Sequence, residues 1–251
     1  MALEERSCFA AIEEILSNFN LMTKELGSIE TLRTDFVVAV SHEFKTPLTA
    51  IEGYTALLQN GNLSAAQHDE CVDKITANVH RLSTLTGNIL QLSKLENQGI
   101  VADKKSYSLD EQLRKSILLL EREWTAKNIE FDLDLLPVQF NGSESLLYQV
   151  WYNLIQNAVK FSPDGGMIHI KLQLTEDKVV VCVADNGCGI DEASQKHIFD
   201  KFYQGNKAHA SEGNGLGLAL VYKIVTLCGG TISVDSQPEQ GAAFTVTLPR
   251  S

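Results

Sequence analysis

The hydrophobic periodicity of the chain changes between its two halves, and this change limits the folds that the chain can adopt. From residue 9 to about residue 97, apolar residues recur at intervals of three and four, and Pro47 is the only proline. This is the period of amphipathic helices. Two apolar stripes follow it: Val37, Val40, Phe44, Leu48, Ile51 and Leu58, and then Val72, Ile75, Val79, Leu82, Leu85, Ile89 and Leu92.

The short segment GNLS, residues 61–64, separates the two stripes. Gly61 can end the first helix, and Ser64, three residues before Gln67, can cap the second. The sequence therefore predicts a helical hairpin. Because two such helices cover only part of their wide apolar stripes, we expect two chains to pair as a homodimer and complete a four-helix bundle.

The second half of the chain mixes helical and strand-like periods. We interpret the polar residues 97–107 as a linker and residues 108–251 as a second domain. The patterns predict an α/β layer, with helices at 109–124, 144–161 and 216–228 and strands at 129–135, 167–174, 178–184, 231–234 and 243–248. The glycine-rich stretch before the last helix is long for a loop inside a domain, and such loops are usually functional.

Charge and apolar content exclude several classes of protein. Lys and Arg number 21 against 32 Asp and Glu, and this net charge of −11 argues against nucleic acid or an anionic bilayer as the main partner. The longest unbroken apolar run is residues 179–184, whereas a transmembrane helix needs about 20 apolar residues. We therefore expect a soluble chain. The five cysteines include no CxxC pair, so we expect the reducing cytoplasm and neither a zinc site nor disulfides.

His42 lies roughly 160° from the centre of the apolar stripe on its predicted helix, and therefore faces water. Alone, such a histidine is most often a solvated side chain without a role. Glu43 can accept a hydrogen bond from one ring nitrogen and leave the other nucleophilic, and Thr46 lies one turn further on. Pro47 is expected to kink the helix. A zinc protease is excluded, since HExxH requires a histidine at the position of Thr46.

Three polar residues share one face of the predicted helix 144–161. Asn153, Asn157 and Lys160 follow one another at spacings of four and three. Two amide oxygens and an ammonium suit a magnesium ion with its phosphates. A solvated polar stripe explains the same spacing equally well.

Two glycine-rich segments follow. In ADNGCGI, residues 184–190, Asp185 can accept from an amino group, while Gly187 and Gly189 allow backbone to approach a flat ligand; a plain hairpin turn is the alternative. In GNGLGL, residues 213–218, closely spaced glycines at a helix start expose backbone N–H groups to phosphate. The GxGxG spacing is not the dinucleotide fingerprint.

In this order, the segments resemble those of a sensor histidine kinase of a two-component system, over about residues 31–249. FVVAVSHEFKTPLTAIEGY, residues 36–54, resembles the phosphoacceptor box, although Phe44 and Lys45 stand where the family often has leucine and arginine. Gln204 also stands where many members have arginine. Four later segments resemble the asparagine box, the first glycine box, the phenylalanine box and the second glycine box: WYNLIQNAVKFSP, DNGCGI, IFDKFYQG and GNGLGLAL.

The resemblance implies an α+β multidomain fold: an antiparallel helical hairpin, residues 31–96, that dimerises into a four-helix bundle, and then an α/β sandwich that binds ATP. This sandwich is the Bergerat (GHKL) type shared with Hsp90 and gyrase. The resemblance also implies a protein-histidine kinase that uses ATP and Mg²⁺. His42 would take the γ-phosphoryl group with help from Glu43 and pass it to an aspartate in the receiver domain of a response regulator. Thr46 would orient a water that dephosphorylates this regulator.

The resemblance also assigns the residues of the nucleotide site. Asn157 would bind Mg²⁺, with Asn153 and Lys160 supporting the ion and the phosphates. Asp185 would hydrogen-bond the adenine amino group, and Lys201 would touch the phosphates. The pocket and its mobile lid would be shaped by residues of the two glycine boxes: Gly187, Gly189, Gly213, Gly215, Leu216 and Gly217.

Residues 1–30 are interpreted as a signalling helix, since residues 19–26 resemble the end of a HAMP domain. The chain would then be the cytoplasmic part of a bacterial sensor, anchored in the membrane by segments absent from it. Two other classes stay open. One is a non-catalytic scaffold that binds nucleotide and a partner. The other is an ATP-driven conformational machine of the Hsp90 or gyrase type, which leaves the segment SHEFKTPLT unexplained.

Overall fold

The computed structural model describes residues 34, 36–59, 61, 63–97, 104–205 and 214–250. The predictions for residues 1–30 and for Gly213 lie outside these residues. The chain separates into two compact units, Met1–Leu82 and Ser83–Ser251. In the part of the chain that the structure describes, no helix is both long enough and apolar enough to cross a membrane.

The first unit contains the predicted helical hairpin. Helix α1 occupies residues 36–59, and helix α2, Ala65–Asn97, begins in this unit and continues into the second. The N–H of Gln67 donates to the Ser64 hydroxyl at 3.3 Å, and the N–H of Ser64 donates to the Gln67 side-chain oxygen at 3.0 Å. This reciprocal pair is a capping box. Gly61, in the turn, has a φ of 69°, which glycine adopts without strain.

The apolar stripes of the hairpin are only partly covered within one chain. Val37 is 56% exposed, Leu48 is 46% exposed, and Val79 on the second helix is 51% exposed. Apolar side chains in a folded protein are usually removed from water when neighbours are available. A single hairpin is too thin to bury all the apolar surface that it carries.

The described residues of the second unit contain seven strands in two sheets. The strands are β1 (Lys105–Ser108), β2 (Glu130–Leu135), β3 (Gln139–Gly142), β4 (Met167–Leu174), β5 (Lys178–Asp185), β6 (Thr231–Ser236) and β7 (Ala242–Pro249). The larger sheet has the order β2-β4-β5-β7-β6, and β1 pairs with β3 separately. Among the described strands of the larger sheet, β2 and β4 pair in parallel, and the other neighbouring pairs are antiparallel.

Helices cover one side of the larger sheet and bury its apolar residues. They are α3 (Leu109–Leu119), α4 (Glu121–Ala126), α5 (Glu144–Phe161), the single turn α6 (Glu192–Gln195) and α7 (Gly217–Leu227). Helix α5 packs against α3, α7 and β5. Its Trp151 is fully buried, and the indole N–H donates to the side-chain oxygen of Gln112 on α3 at 2.9 Å. The core therefore forms around α5, the helix that carries the predicted asparagines.

The prediction of one continuous helix over residues 109–124 is wrong, because two helices occupy this range. The structure ends α3 at Leu119 and begins α4 at Glu121, because Leu120 has φ −99° and ψ 14° and does not continue the helix. At the break, the Ile117 carbonyl accepts from the N–H of Leu120 at 3.1 Å and from the indole N–H of Trp124 at 3.0 Å. Strands β1 and β3, with four residues each, are absent from the prediction, and β1 includes the last residues of the predicted linker.

Candidate functional site

His42 has an exposed side chain on α1, as the helical wheel predicts. Thr46, one turn further on, is also exposed, and its hydroxyl donates to the His42 carbonyl at 3.3 Å. Glu43 is half-buried, and its carboxylate lies 3.3 Å from the guanidinium of Arg81 on α2. The helix continues through Pro47. The imidazole is therefore open to a second molecule, while the neighbouring carboxylate is held by an ion pair across the hairpin.

Helix α5 holds the three polar residues that the sequence places on one face. Asn153 is buried, and its side-chain amide donates to the Gln149 carbonyl at 2.8 Å. Asn157 is half-buried, and among the described residues nothing hydrogen-bonds to its side chain. The ammonium of Lys160 lies 4.5 Å from the centre of the Phe161 ring. Asn157 thus keeps both an amide oxygen and an amide nitrogen available for a ligand.

Asp185 ends β5, next to α5. Burial raises the pKa of its carboxyl, and hydrogen bonds from the backbone N–H groups of Gly187 and Ala242 oppose this effect by lowering the pKa. The bond from Gly187 is 2.9 Å long. A partly dehydrated carboxylate with few partners is a strong acceptor for an amino group.

Gly187 and Gly189 are positions where a side chain does not fit. A Cβ at Gly187 would lie 2.3 Å from the carbonyl oxygen of Phe161 at the end of α5. Gly189 has a φ of 68°, and a Cβ there would collide with the carbonyl of Gln237. The segment after β5 therefore packs backbone to backbone against its neighbours, and this close packing fixes where Asp185 lies relative to α5.

The second glycine segment also packs closely against α5, through its contact with Asn153. A Cβ at Gly217, the first residue of α7, would lie 2.9 Å from the side-chain oxygen of Asn153. Gly215 has a φ of 64°, and its carbonyl accepts from the N–H of Phe202 at 2.9 Å. Leu216 is fully buried, so its side chain is a packing residue of the second unit. Gly213 is outside the described residues.

A cavity of about 500 Å³ opens beside the end of α5. Lys127, Lys160, Phe161, Gly187, Cys188 and Glu239 are among the residues that line it. Two ammonium groups and one carboxylate on its wall give it a net positive charge. Of the predicted site residues, Lys160 and Gly187 line it.

Lys127 is a residue that the sequence analysis missed. Its ammonium donates to three carbonyl oxygens at the end of α5, those of Val159 at 3.0 Å, Lys160 at 2.7 Å and Ser162 at 3.0 Å. The helix itself leaves carbonyls at its end without a backbone partner. A cation there also interacts favourably with the negative end of the helix dipole. The bonds join residues 32 to 35 positions apart, so no local pattern in the sequence signals them.

Lys201 lies after α6, in the segment that resembles the phenylalanine box. Its ammonium is 2.6 Å from the carboxylate of Glu96, near the end of α2. The next residue, Phe202, has a φ of 63° and bonds to Gly215 through its backbone. Lys201 is thus tied both to α2 and, through its neighbour, to the second glycine segment.

These residues suit a nucleotide bound with a divalent cation. An amide oxygen without a partner, a half-buried carboxylate and ammonium groups are brought to one end of α5, and the backbone of two glycine segments packs closely beside them. The residues of this cluster belong to the second unit, whereas His42, Glu43 and Thr46 belong to the first.

Comparison with protein families matches both units. The family described as "His Kinase A (phospho-acceptor) domain" matches residues 32–98. The family described as "Histidine kinase-, DNA gyrase B-, and HSP90-like ATPase" matches residues 142–251. The two matches follow one another in the order that the sequence predicts, and they confirm a helical hairpin followed by an ATPase-type α/β sheet.

Individual relatives agree with the family matches. The heme sensor protein HssS of Staphylococcus haemolyticus strain JCSC1435 is 36% identical over 233 residues, 93% of this chain. This chain spans about half the length of that relative, 50%. The mycobacterial sensor histidine kinase MprB is 30% identical with a TM-score of 0.52, over 58% of this chain and 97% of that one. ShkA, solved in complex with AMPPNP, is 29% identical with a TM-score of 0.63, over 88% and 45%.

Proposed function

Because this chain belongs to the sensor histidine kinase family, we propose that its His42 takes the γ-phosphoryl group of ATP and passes it to an aspartate of a response regulator. The observation that carries the proposal is the pairing of two sites in one chain. One is an exposed histidine on a helical hairpin, and the other is the cluster of Asn157, Asp185 and glycine backbone around α5.

The second unit would bind the nucleotide. Asp185 would accept a hydrogen bond from the adenine amino group, and Asn157 would offer its amide oxygen to Mg²⁺, with Asn153 and Lys160 beside it. The relative ShkA, which was solved with AMPPNP, supports ATP as the nucleotide. Bound Mg²⁺ would neutralise charge on the phosphates, which is most of what phosphoryl transfer requires of a protein.

His42 would act as the nucleophile. One ring nitrogen attacks the γ-phosphorus while the bond to the β–γ bridging oxygen breaks, so that ADP leaves and a phosphorus–nitrogen bond forms. Glu43 would accept a hydrogen bond from the other ring nitrogen and favour this attack. Because the Glu43 carboxylate is paired with Arg81 in the structure, it must change partner to assist.

The partners follow from the same proposal. A second copy of the chain would cover the exposed apolar residues of the hairpin and form a homodimer. The receiver domain of a response regulator would approach the exposed His42, and Thr46 would orient water when the regulator is dephosphorylated. The proposed setting is the cytoplasmic part of a membrane-anchored bacterial sensor protein, with Mg²⁺ and ATP as the cofactors.

The proposal is tested by incubating the chain with γ-labelled ATP and Mg²⁺, beside His42→Gln. We expect label on the parent chain that survives base, is lost in acid, and is absent from the variant, as a phosphohistidine requires. Binding of nucleotide without such label would favour the non-catalytic scaffold. Steady ATP hydrolysis that His42→Gln leaves unchanged would favour a machine of the Hsp90 or gyrase type.

A further inference from the structure

The end of α2 is part of the second unit, and it brings an acidic residue to the nucleotide site. Leu92 and Leu95 are buried in the core of this unit. Gln91 and Gln149 of α5 pair through both of their side-chain amides. These contacts fix the last turns of α2 against α5, so the position of Glu96, one residue after Leu95, is set by packing and not by a free chain end.

Glu96 contacts the lysine that the proposed function assigns to the phosphates. The Glu96 carboxylate and the Lys201 ammonium are 2.6 Å apart, and their side chains are 41% and 40% exposed. Lys201 precedes Phe202, whose N–H bonds to the carbonyl of Gly215 in the second glycine segment. The ion pair therefore joins α2 to the segment that leads into α7.

An ammonium held by a carboxylate is a poorer phosphate ligand than one held by water. The triphosphate of ATP would have to draw Lys201 away from Glu96. This costs binding free energy, because a formed ion pair must be broken. An exposed pair is weak, so the cost corresponds to about a two- to fivefold change in affinity.

From this geometry we propose that Glu96 is a positioning residue that holds Lys201 away from bound nucleotide and thereby weakens nucleotide binding. The inference rests on the proposed function. By thermodynamic linkage, a nucleotide that pulls Lys201 from Glu96 also loosens the last turn of α2. The pair would thus couple the state of α2, whose first turns belong to the histidine hairpin, to occupancy of the nucleotide site.

The test is calorimetric titration of the full chain with AMPPNP and Mg²⁺. We expect Glu96→Gln to bind AMPPNP about two- to fivefold more tightly than the parent, because it frees the ammonium while keeping the size of the side chain. The matched control is Glu192→Gln, which removes the same charge from an exposed pair with Lys196 elsewhere in the second unit. The control should leave the affinity unchanged.

A second comparison separates Lys201 from general charge effects. In a Lys201→Gln background, which should bind AMPPNP more weakly, Glu96→Gln should give no further gain. The gain in the parent background should also fade at high salt, since the pair is partly exposed.

The outcomes are distinct. If Glu96→Gln binds as the parent does, or more weakly, the inference is overturned while the proposed function stands. A gain that persists in the Lys201→Gln background, or that Glu192→Gln reproduces, assigns the effect to net charge and also overturns it. If the parent itself binds no AMPPNP with Mg²⁺, the proposed function fails, and the inference fails with it.

Discussion

The ionised carboxylate of Asp185 would favour nucleotide binding but lowers the stability of the fold. Burial raises the pKa of its carboxyl above the ordinary value of 3.8, so the fold favours the protonated form. The stability that this preference gives is fully present below the unfolded pKa and is lost as pH rises through the folded pKa. Near neutral pH the ionised Asp185 therefore lowers the free energy of unfolding. This loss of stability is explained if the carboxylate is needed to bind an amino group.

Asp185→Asn is expected to raise the melting temperature near neutral pH while it weakens nucleotide binding. The amide avoids the cost of burying a charge, and its oxygen still accepts from the N–H of Gly187. Loss of a charged acceptor should reduce AMPPNP affinity by about 10- to 100-fold. Thermal unfolding at about pH 7 and about pH 4 gives the check, because the gain in stability should shrink on acidification. A lower melting temperature at neutral pH would contradict the account.

Lys127 makes a second residue-scale prediction. Lys127→Met keeps the length of the side chain but removes the three hydrogen bonds to the end of α5, and should destabilise the second unit by about 1–3 kcal/mol. AMPPNP affinity should fall too, since Asn157 and Lys160 lie near the end of that helix. Lys171→Met is the control, because its partner Asp134 is exposed and the pair is worth little. Equal effects of both substitutions on stability and AMPPNP affinity would contradict the role assigned to the Lys127 hydrogen bonds.

At the scale of elements, the sequence predicts the bounds of a helix or strand well where one hydrophobic period continues along the whole element. Helix α5 and strand β4 have the predicted bounds, 144–161 and 167–174, because each has an uninterrupted pattern of one period. The prediction fails where tertiary contacts decide. Neither the break at Leu120 nor the pairing of the four-residue strands β1 and β3 leaves a local pattern.

The candidate site shows the same division. The exposure of His42 follows from helical periodicity alone, and the grouping of Asn157 with Asp185 follows from the family resemblance. The Arg81–Glu43 and Glu96–Lys201 pairs could not be predicted, because each joins residues that are far apart in sequence. Such contacts depend on packing distances and not on residue spacing.

The capping box of α2 gives a prediction for this element. Ser64→Ala removes the hydroxyl that accepts from Gln67 N–H, and should destabilise the hairpin by about 1 kcal/mol. Ser83→Ala is the matched control, since this exposed serine lies inside α2, where alanine is the better helix former. Thermal unfolding followed by circular dichroism measures both. A more stable Ser64→Ala variant would show that the box is not needed for the turn.

At the scale of the whole molecule, the uncovered apolar stripes of the hairpin predict its assembly. Val79→Glu places a charge at a residue that is 51% exposed in one chain, and burying that charge against a second copy would be costly. We expect the variant to be monomeric in light scattering after size-exclusion chromatography. AMPPNP binding should persist, because the residues assigned to nucleotide lie in the second unit.

The control for assembly is Leu118→Glu. Leu118 is 62% exposed on α3 of the second unit, so the same change there should leave the dimer intact. A dimeric Val79→Glu variant, or a monomeric Leu118→Glu variant, would argue that the chain pairs through another surface.

The glycines around α5 have a consequence for genetics. Every missense codon that replaces a glycine adds at least a Cβ, and at Gly187, Gly189 and Gly215 that atom meets backbone within 3 Å. At Gly53 and Gly87, in the helices of the hairpin and its extension, nothing lies within 4 Å of it, and alanine there would favour the helix by about 1 kcal/mol. In a library of random mutations that is selected for signalling and then sequenced, missense changes should therefore be depleted at the first three codons and tolerated at the other two.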